Sequence, residues 1–139
     1  MTVTERIAEA DTLLLTGEAC SGFGEGAGFT QLAWVRRAFL ARLGFAPYPG
    51  TFNLRMSGAE WEAARAVMAG KPGIIIAPEA GFCAAKCFHV VIGGRITGAA
   101  VFPEVSDYPV DKLEVISAVS VRQALGVKDG DPVAVSVVC

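Results

Sequence analysis

Chemistry in this chain is most concentrated in Gly50-Thr51-Phe52-Asn53-Leu54 and in the approach to it, Leu43-Gly44-Phe45-Ala46-Pro47-Tyr48-Pro49. Thr51 and Asn53 stand two residues apart where a short strand pattern begins, and residues i and i+2 of a strand point to the same side. A hydroxyl and an amide carbonyl aimed at one spot are oxygen ligands of the kind a hard cation such as Mg²⁺ takes. The same residues fit a plainer reading, a turn followed by an edge strand whose polar face meets water, because threonine is a good strand residue.

A second concentration precedes it. Ser21-Gly22-Phe23-Gly24-Glu25-Gly26-Ala27-Gly28-Phe29 has glycine at every second position, a loop able to bring backbone N–H groups close to an anion. It is neither of the usual nucleotide fingerprints. GxGxxG fails, because the sixth position is Ala27 counted from Gly22 and Phe29 counted from Gly24, and GxxxxGK(S/T) is absent. A flexible hairpin turn would have the same composition. The cysteines, Cys20, Cys83, Cys87 and Cys139, include no CxxC pair. Cys83, Cys87 and His89 invite a metal reading, but structural zinc takes four ligands and usually tighter pairs. Buried small hydrophobes in a reducing compartment, and a histidine carried by an apolar strand, account for them without a metal.

The bulk composition narrows the setting. At 139 residues, 53% hydrophobic and 19% charged, the chain suits one folded domain with a real core. Lys+Arg number 12 against Asp+Glu 14, a net charge of −2, so no basic surplus points to nucleic acid. No apolar run approaches a membrane span, and Met1-Thr2-Val3-Thr4-Glu5-Arg6 lacks the order of a signal peptide. A cytoplasmic protein acting on small molecules, monomeric or a small homo-oligomer, is the expectation.

The elements that must position these residues follow from periodicity. Residues 1–11 read as a short helix or N-terminal arm, and residues 12–139 as a single domain. Thr12–Cys20 reads as a strand. Leu32–Leu43 is a helix with Leu32, Val35, Phe39 and Leu43 on one face, stopped by Gly44, and its start lies beside the glycine loop. After a strand at Thr51–Met56, Ser57-Gly58-Ala59-Glu60 fits a capping box. It opens a helix to about Met68 with Trp61, Ala64, Val67 and Met68 inward. Strands follow at Gly73–Ala77, Cys83–Ile92, Arg95–Phe102 across a two-residue Gly93-Gly94 turn, Leu113–Ile116 and Pro132–Val138. A helical turn or two at Ser120–Leu125 and a turn at Lys128-Asp129-Gly130-Asp131 precede the last strand. Short strands with tight turns and two early helices indicate a small barrel, mainly β with inserted helices (α+β), rather than a βαβ sheet.

Four of these stretches, taken in order, carry a family resemblance. They are Ser21-Gly22-Phe23-Gly24-Glu25-Gly26, Leu43–Leu54 (LGFAPYPGTFNL), Leu113-Glu114-Val115-Ile116, and Val121-Arg122 followed by Val127–Asp131 (VKDGD). Their order and spacing resemble the archaeal-type, CTP-dependent riboflavin kinases, over nearly the whole chain from about Gly17 to Val138. The resemblance implies a six-stranded cradle-loop, riboflavin-kinase-like β-barrel. It implies transfer of the γ-phosphoryl of CTP to the 5′-hydroxyl of riboflavin, giving FMN and CDP with Mg²⁺. By position, Gly22, Phe23, Gly24, Glu25, Gly26 and Ala27 would hold the nucleotide phosphates, and Val119, Ser120, Val121 and Arg122 would line the cytosine side. Thr51 and Asn53 would coordinate Mg²⁺. Ser106 and Glu114 would contact the flavin, Glu114 as a positioning residue or as a base for the attacking hydroxyl. Without the resemblance, Glu114 reads as a charged residue on an exposed strand face.

The chain departs from the family pattern at several places. The family commonly has arginine at Ala27, an aromatic at Gly28, Ala-Pro at Ser117-Ala118, threonine at Ser106 and an aromatic at Val35. These departures leave open a CTP-dependent kinase for another small alcohol, or a flavin- or nucleotide-binding module without catalysis. Neither nucleic acid nor membrane is an expected partner.

Overall fold

A computed structural model of the chain describes residues 12–21, 30–79 and 83–139. The expected N-terminal arm, residues 1–11, and the glycine-alternating loop with Gly22, Phe23, Gly24, Glu25, Gly26, Ala27 and Gly28 lie outside the described residues. The elements run β1 (Thr12–Cys20), α1 (Ala33–Leu43), β2 (Phe52–Arg55), α2 (Ala59–Ala69), β3 (Ile74–Ile76), β4 (Ala85–Ile92), β5 (Ile96–Pro103), β6 (Lys112–Ile116), α3 (Val121–Leu125) and β7 (Pro132–Val138).

The seven strands form one antiparallel sheet in the order β3-β4-β5-β6-β2-β1-β7. It closes on itself because β4 divides one edge between two partners. Ala85–Cys87 pairs with β3, and His89–Ile92 pairs with β7. Six strands therefore make the ring, as expected, and β3 is an extra strand beside it. Closure leaves few strand edges unpaired.

Alternation along the strands separates two cores. All six ring strands send side chains to the inner one, among them Leu15, Leu54, Val90, Ala100, Val115 and Val135. From α2, Trp61, Ala64 and Met68 join it, as does Val121 of α3. The outer core lies beneath α1, where Val35, Phe39 and Leu43 pack on Cys87, Ala99, Val101 and Ile116. Gly44 ends α1 at φ 89°, its N–H donating to the Leu40 carbonyl, a left-handed cap that glycine adopts without strain.

Three local expectations need correction. Ser57 does not cap α2. Gly58 takes that position at φ 92° with no side-chain cap, so Ser57 falls one residue too early to reach the first-turn N–H groups, and Glu60 and Glu62 face the positive helix end instead. Val67 is 41% exposed, since the buried stripe Trp61, Ala64, Met68 passes beside it, and Leu32 is exposed ahead of α1. The β4–β5 turn takes three residues. Ile92 pairs with Ile96, and Arg95 remains in the turn, its guanidinium donating to the Ala124 carbonyl of α3. Gly93 and Gly94 have φ 60° and 76°, and a Cβ at Gly93 would come 2.8 Å from a Leu125 methyl.

Phe39 is 1% exposed at the centre of the outer core. Phe39→Ala is expected to lower unfolding stability by about 3–5 kcal/mol, read as a shifted urea midpoint.

Candidate active site

The turn before β2 is held from three sides. The Arg36 guanidinium of α1 donates to the Pro47 carbonyl at 3.1 Å. Tyr48 N–H donates to the Ser117 carbonyl, just past β6, at 2.7 Å. Gly50 N–H donates to Thr30 Oγ1 at 2.9 Å. Gly50 has φ 91°, a conformation that any side chain would strain. The chain then enters β2 with Thr51 half-buried and Asn53 3% exposed.

Thr51 Oγ1 and Asn53 Oδ1 converge, 3.4 Å apart. Asn53 Nδ2 turns the other way and donates to the Thr51 carbonyl at 3.4 Å, which leaves the amide oxygen on the hydroxyl's side. Two ligands on neighbouring corners of an Mg²⁺ octahedron, at about 2.0–2.1 Å from the ion, lie about 3 Å apart. The pair therefore suits a hard cation after a closure of a few tenths of an ångström. Both oxygens are neutral, and among the described residues no group of three or more His, Cys, Asp or Glu side chains is placed to hold a metal. A cation here would draw its anionic ligands from a bound phosphate.

Register brings the other candidates to the same place. Cys20 of β1 is opposite Asn53, Asn53 is opposite Glu114 of β6, and Glu114 is opposite Val101 of β5. Directly opposed residues share a face, and the Val101 face is the one that α1 covers farther along. Glu114 accepts a hydrogen bond from the Tyr108 phenol at 2.8 Å and pairs with Lys112 at 3.1 Å. Burial, then the charge of Glu114 and its hydrogen bond, push the Tyr108 phenol above its ordinary range, so it stays a donor.

The two ends of the glycine loop are fastened to this neighbourhood. At one end Ser21 Oγ donates to Asp129 at 2.6 Å, and Arg122 pairs with the other Asp129 oxygen at 2.8 Å. Arg122 also donates to the Cys20 carbonyl at 3.3 Å. These contacts, led by the Ser21 hydrogen bond, hold the Asp129 carboxyl below its usual range. At the other end stands Thr30, 1% exposed, on Gly50. The segment expected to hold phosphates thus starts beside Arg122 and ends beside Thr51.

The remaining candidates are spread out. Ser120 caps α3, its hydroxyl accepting from Gln123 N–H at 3.3 Å. Val119 is exposed, whereas the Val121 side chain lies in the inner core, so only its backbone faces outward chemistry. Ser106 is exposed in the β5–β6 loop; Tyr108, two residues on, is the loop residue that reaches Glu114. Ser117 is buried and donates to the Thr97 carbonyl at 2.8 Å. Burial pushes the Cys87 thiol up to about 12, while Cys83 and His89 are exposed.

A cleft of about 320 Å³ lies elsewhere, between α2 and the β4–β5 strands, lined by Arg65, Met68, Lys86, Phe88, Phe102 and Glu104 among others. Phe88 and Phe102 belong to the inner face, Val101 and Glu114 to the outer. The cleft and Glu114 are thus at opposite ends of the loop that carries Ser106 and Tyr108.

The chain is similar to known proteins over most of its length. A family model with the short name CTP-dep_RFKase, described as domain of unknown function DUF120, matches residues 19–137. The chain belongs to the CTP-dependent riboflavin kinase family. Among the family's curated proteins, the riboflavin kinase of Pyrobaculum arsenaticum is 38% identical over 130 residues, covering 91% of this chain and 61% of the relative. The riboflavin kinase of Archaeoglobus fulgidus is 42% identical over 131 residues, covering 91% and 55%. That of Methanosarcina barkeri is 36% identical over 131 residues, covering 91% and 57%. The chain spans somewhat more than half the length of these family members.

Tyr108 and Lys112 were not singled out from sequence as site residues, nor were Thr30, Arg36 and Asp129. Only Lys112 had a usable signal, since i and i+2 on β6 share a face with Glu114. The folded protein holds the Tyr108 proton more tightly than the unfolded chain, so this residue's contribution is complete below about pH 10 and is lost as pH rises beyond it. Tyr108→Phe is expected to lose less stability than wild type between about pH 9 and about pH 11, measured by urea midpoints across that range.

Proposed function

We propose that the chain transfers the γ-phosphoryl of CTP to the 5′-hydroxyl of riboflavin, giving FMN and CDP with Mg²⁺. The observation that carries this reading is the cross-strand pairing of Asn53 with Glu114 beside the end of β1. It supports the reading because Cys20, just ahead of the glycine-alternating stretch, Asn53 and Glu114 share one face. Membership of the family supports the same assignment.

Phosphoryl transfer asks a protein mainly for positioning and for neutralisation of charge. In this reading the glycine loop, Gly22–Ala27, offers backbone N–H groups to the phosphates, with Arg122 at its stem as a cation. Ser120 and the neighbouring backbone of Val119 and Val121 face the cytosine. Thr51 and Asn53 hold Mg²⁺, which when bound offsets the negative charge of the phosphates. Being neutral, the pair binds the ion weakly until nucleotide supplies further oxygens. Ser106 and Glu114 take the flavin, Glu114 accepting a hydrogen bond from the attacking hydroxyl. The new bond joins the 5′-oxygen to the γ-phosphorus as the bond to the bridging oxygen of CDP breaks. The hydroxyl proton leaves through the Glu114 carboxylate.

The full chain incubated with riboflavin, CTP and Mg²⁺ is expected to yield FMN and CDP, identified by mass. ATP in place of CTP is expected to give little product, and chelation of the metal to abolish turnover. Transfer to other small alcohols but not to riboflavin, or flavin binding without transfer, would overturn the assignment.

A further inference from the structure

Glu114 is tethered by one of its two oxygens. Tyr108 donates to Oε1 at 2.8 Å, and Lys112 Nζ stands 3.1 Å from that same atom. Lys112 also lies over the Tyr108 ring, 5.8 Å from its centroid, within the range of a cation–π contact. The three side chains close a triangle on one side of the carboxylate. Among the described residues no hydrogen bond or ion pair reaches Oε2. Asn53 is the residue directly opposite Glu114 on β2.

We infer that Tyr108 and Lys112 are positioning residues, which hold Glu114 by Oε1 so that Oε2 is presented to the acceptor's primary hydroxyl. The inference rests on the phosphotransferase reading above. A glutamate free to rotate about its side-chain bonds offers a hydroxyl many geometries, and anchoring one oxygen removes most of that freedom. Lys112 has a second consequence. A cation against Oε1 offsets the repulsion that a carboxylate would exert on an approaching triphosphate. Tyr108 belongs to the β5–β6 loop and Lys112 to β6, so the triangle also sets the loop's distance from the sheet. A purely structural triangle would do only that, and the two roles separate in kinetics.

Wild type, Tyr108→Phe, Glu114→Gln and the double variant are compared as full chains in steady-state kinetics with riboflavin, CTP and Mg²⁺. Tyr108→Phe keeps the ring beneath Lys112 and is expected to lower kcat about tenfold, with KM for CTP held within about twofold. The double variant is expected to be no slower than Glu114→Gln alone, because Tyr108 acts through Glu114. Lys112→Met is expected to show a similar loss and Lys112→Arg to recover most of it; this pair carries the test if Tyr108→Phe melts early. Multiplying losses in the double variant, or an unchanged kcat in Tyr108→Phe, would overturn the inference. Absence of FMN from wild type would instead defeat the proposed function. The triangle is then read from riboflavin affinity by flavin fluorescence. Weaker binding in each single variant with no further loss in the double supports it, and additive losses or no binding by wild type overturn it.

Discussion

The hydrogen bond from Gly50 N–H to Thr30 Oγ1 joins the segment after the glycine loop to the entrance of β2. Much of the candidate site depends on it and on its two companions, Arg36 to the Pro47 carbonyl and Tyr48 N–H to the Ser117 carbonyl. Each comes from a different part of the fold: the glycine loop's exit, α1 and the exit of β6. A turn with two prolines has few N–H groups to donate and little freedom in φ. Three fixed points therefore suffice to set where Thr51 leaves it. A shift of one residue in that turn would put Asn53 on the inner face, among apolar side chains such as Ala19 and Val115, and turn Phe52 and Leu54 outward.

The ring of strands divides the work between its faces. The inner face is largely apolar and plugged by Trp61, Ala64 and Met68 of α2, and the indole of Trp61 donates to the Val110 carbonyl at 2.8 Å, tying the helix to the β5–β6 loop. Lys86 meets the open end of α2, donating to the Lys71 carbonyl at 2.8 Å with the Met68 and Ala69 carbonyls at 3.4 Å, where a cation suits the negative helix terminus. The outer face carries a second apolar core under α1 and, beyond it, the polar row through Asn53 and Glu114. Polar chemistry is thus seated on a sheet whose other side is filled, which gives the site a rigid base.

Much of this was legible in the chain. β1 and β7 have the bounds that alternation and turn residues indicate, and Gly44 stops α1 where a glycine stop was read. Helix periodicity over-reached at Val67 and Leu32, because a stripe read from sequence cannot tell how wide a face the neighbouring strands will cover. The capping box failed for a similar reason: Gly58 could take a positive φ that the pattern around Ser57 did not reveal. Thr51 and Asn53 were visible as a pair because they stand two residues apart where a strand pattern begins, although the strand itself starts at Phe52. The pairing of Asn53 with Glu114 was not, since these residues stand 61 positions apart in the chain and meet only through the register between β2 and β6, which folding of everything between them sets. The contacts of Tyr108 and Asp129 were not legible for the same reason, as their partners are set by loop conformation rather than by strand alternation.

The central claim is that two neutral oxygens, from Thr51 and Asn53, take Mg²⁺ together with the nucleotide. Calorimetric titration of CTP into wild type and Asn53→Ala, each with Mg²⁺ and with a chelator, tests it most directly. Wild type is expected to bind CTP at least about tenfold more tightly with Mg²⁺ than without, about 1.4 kcal/mol, and Asn53→Ala to lose that difference while keeping its affinity for riboflavin. A Mg²⁺ dependence that survives unchanged in Asn53→Ala would contradict the account.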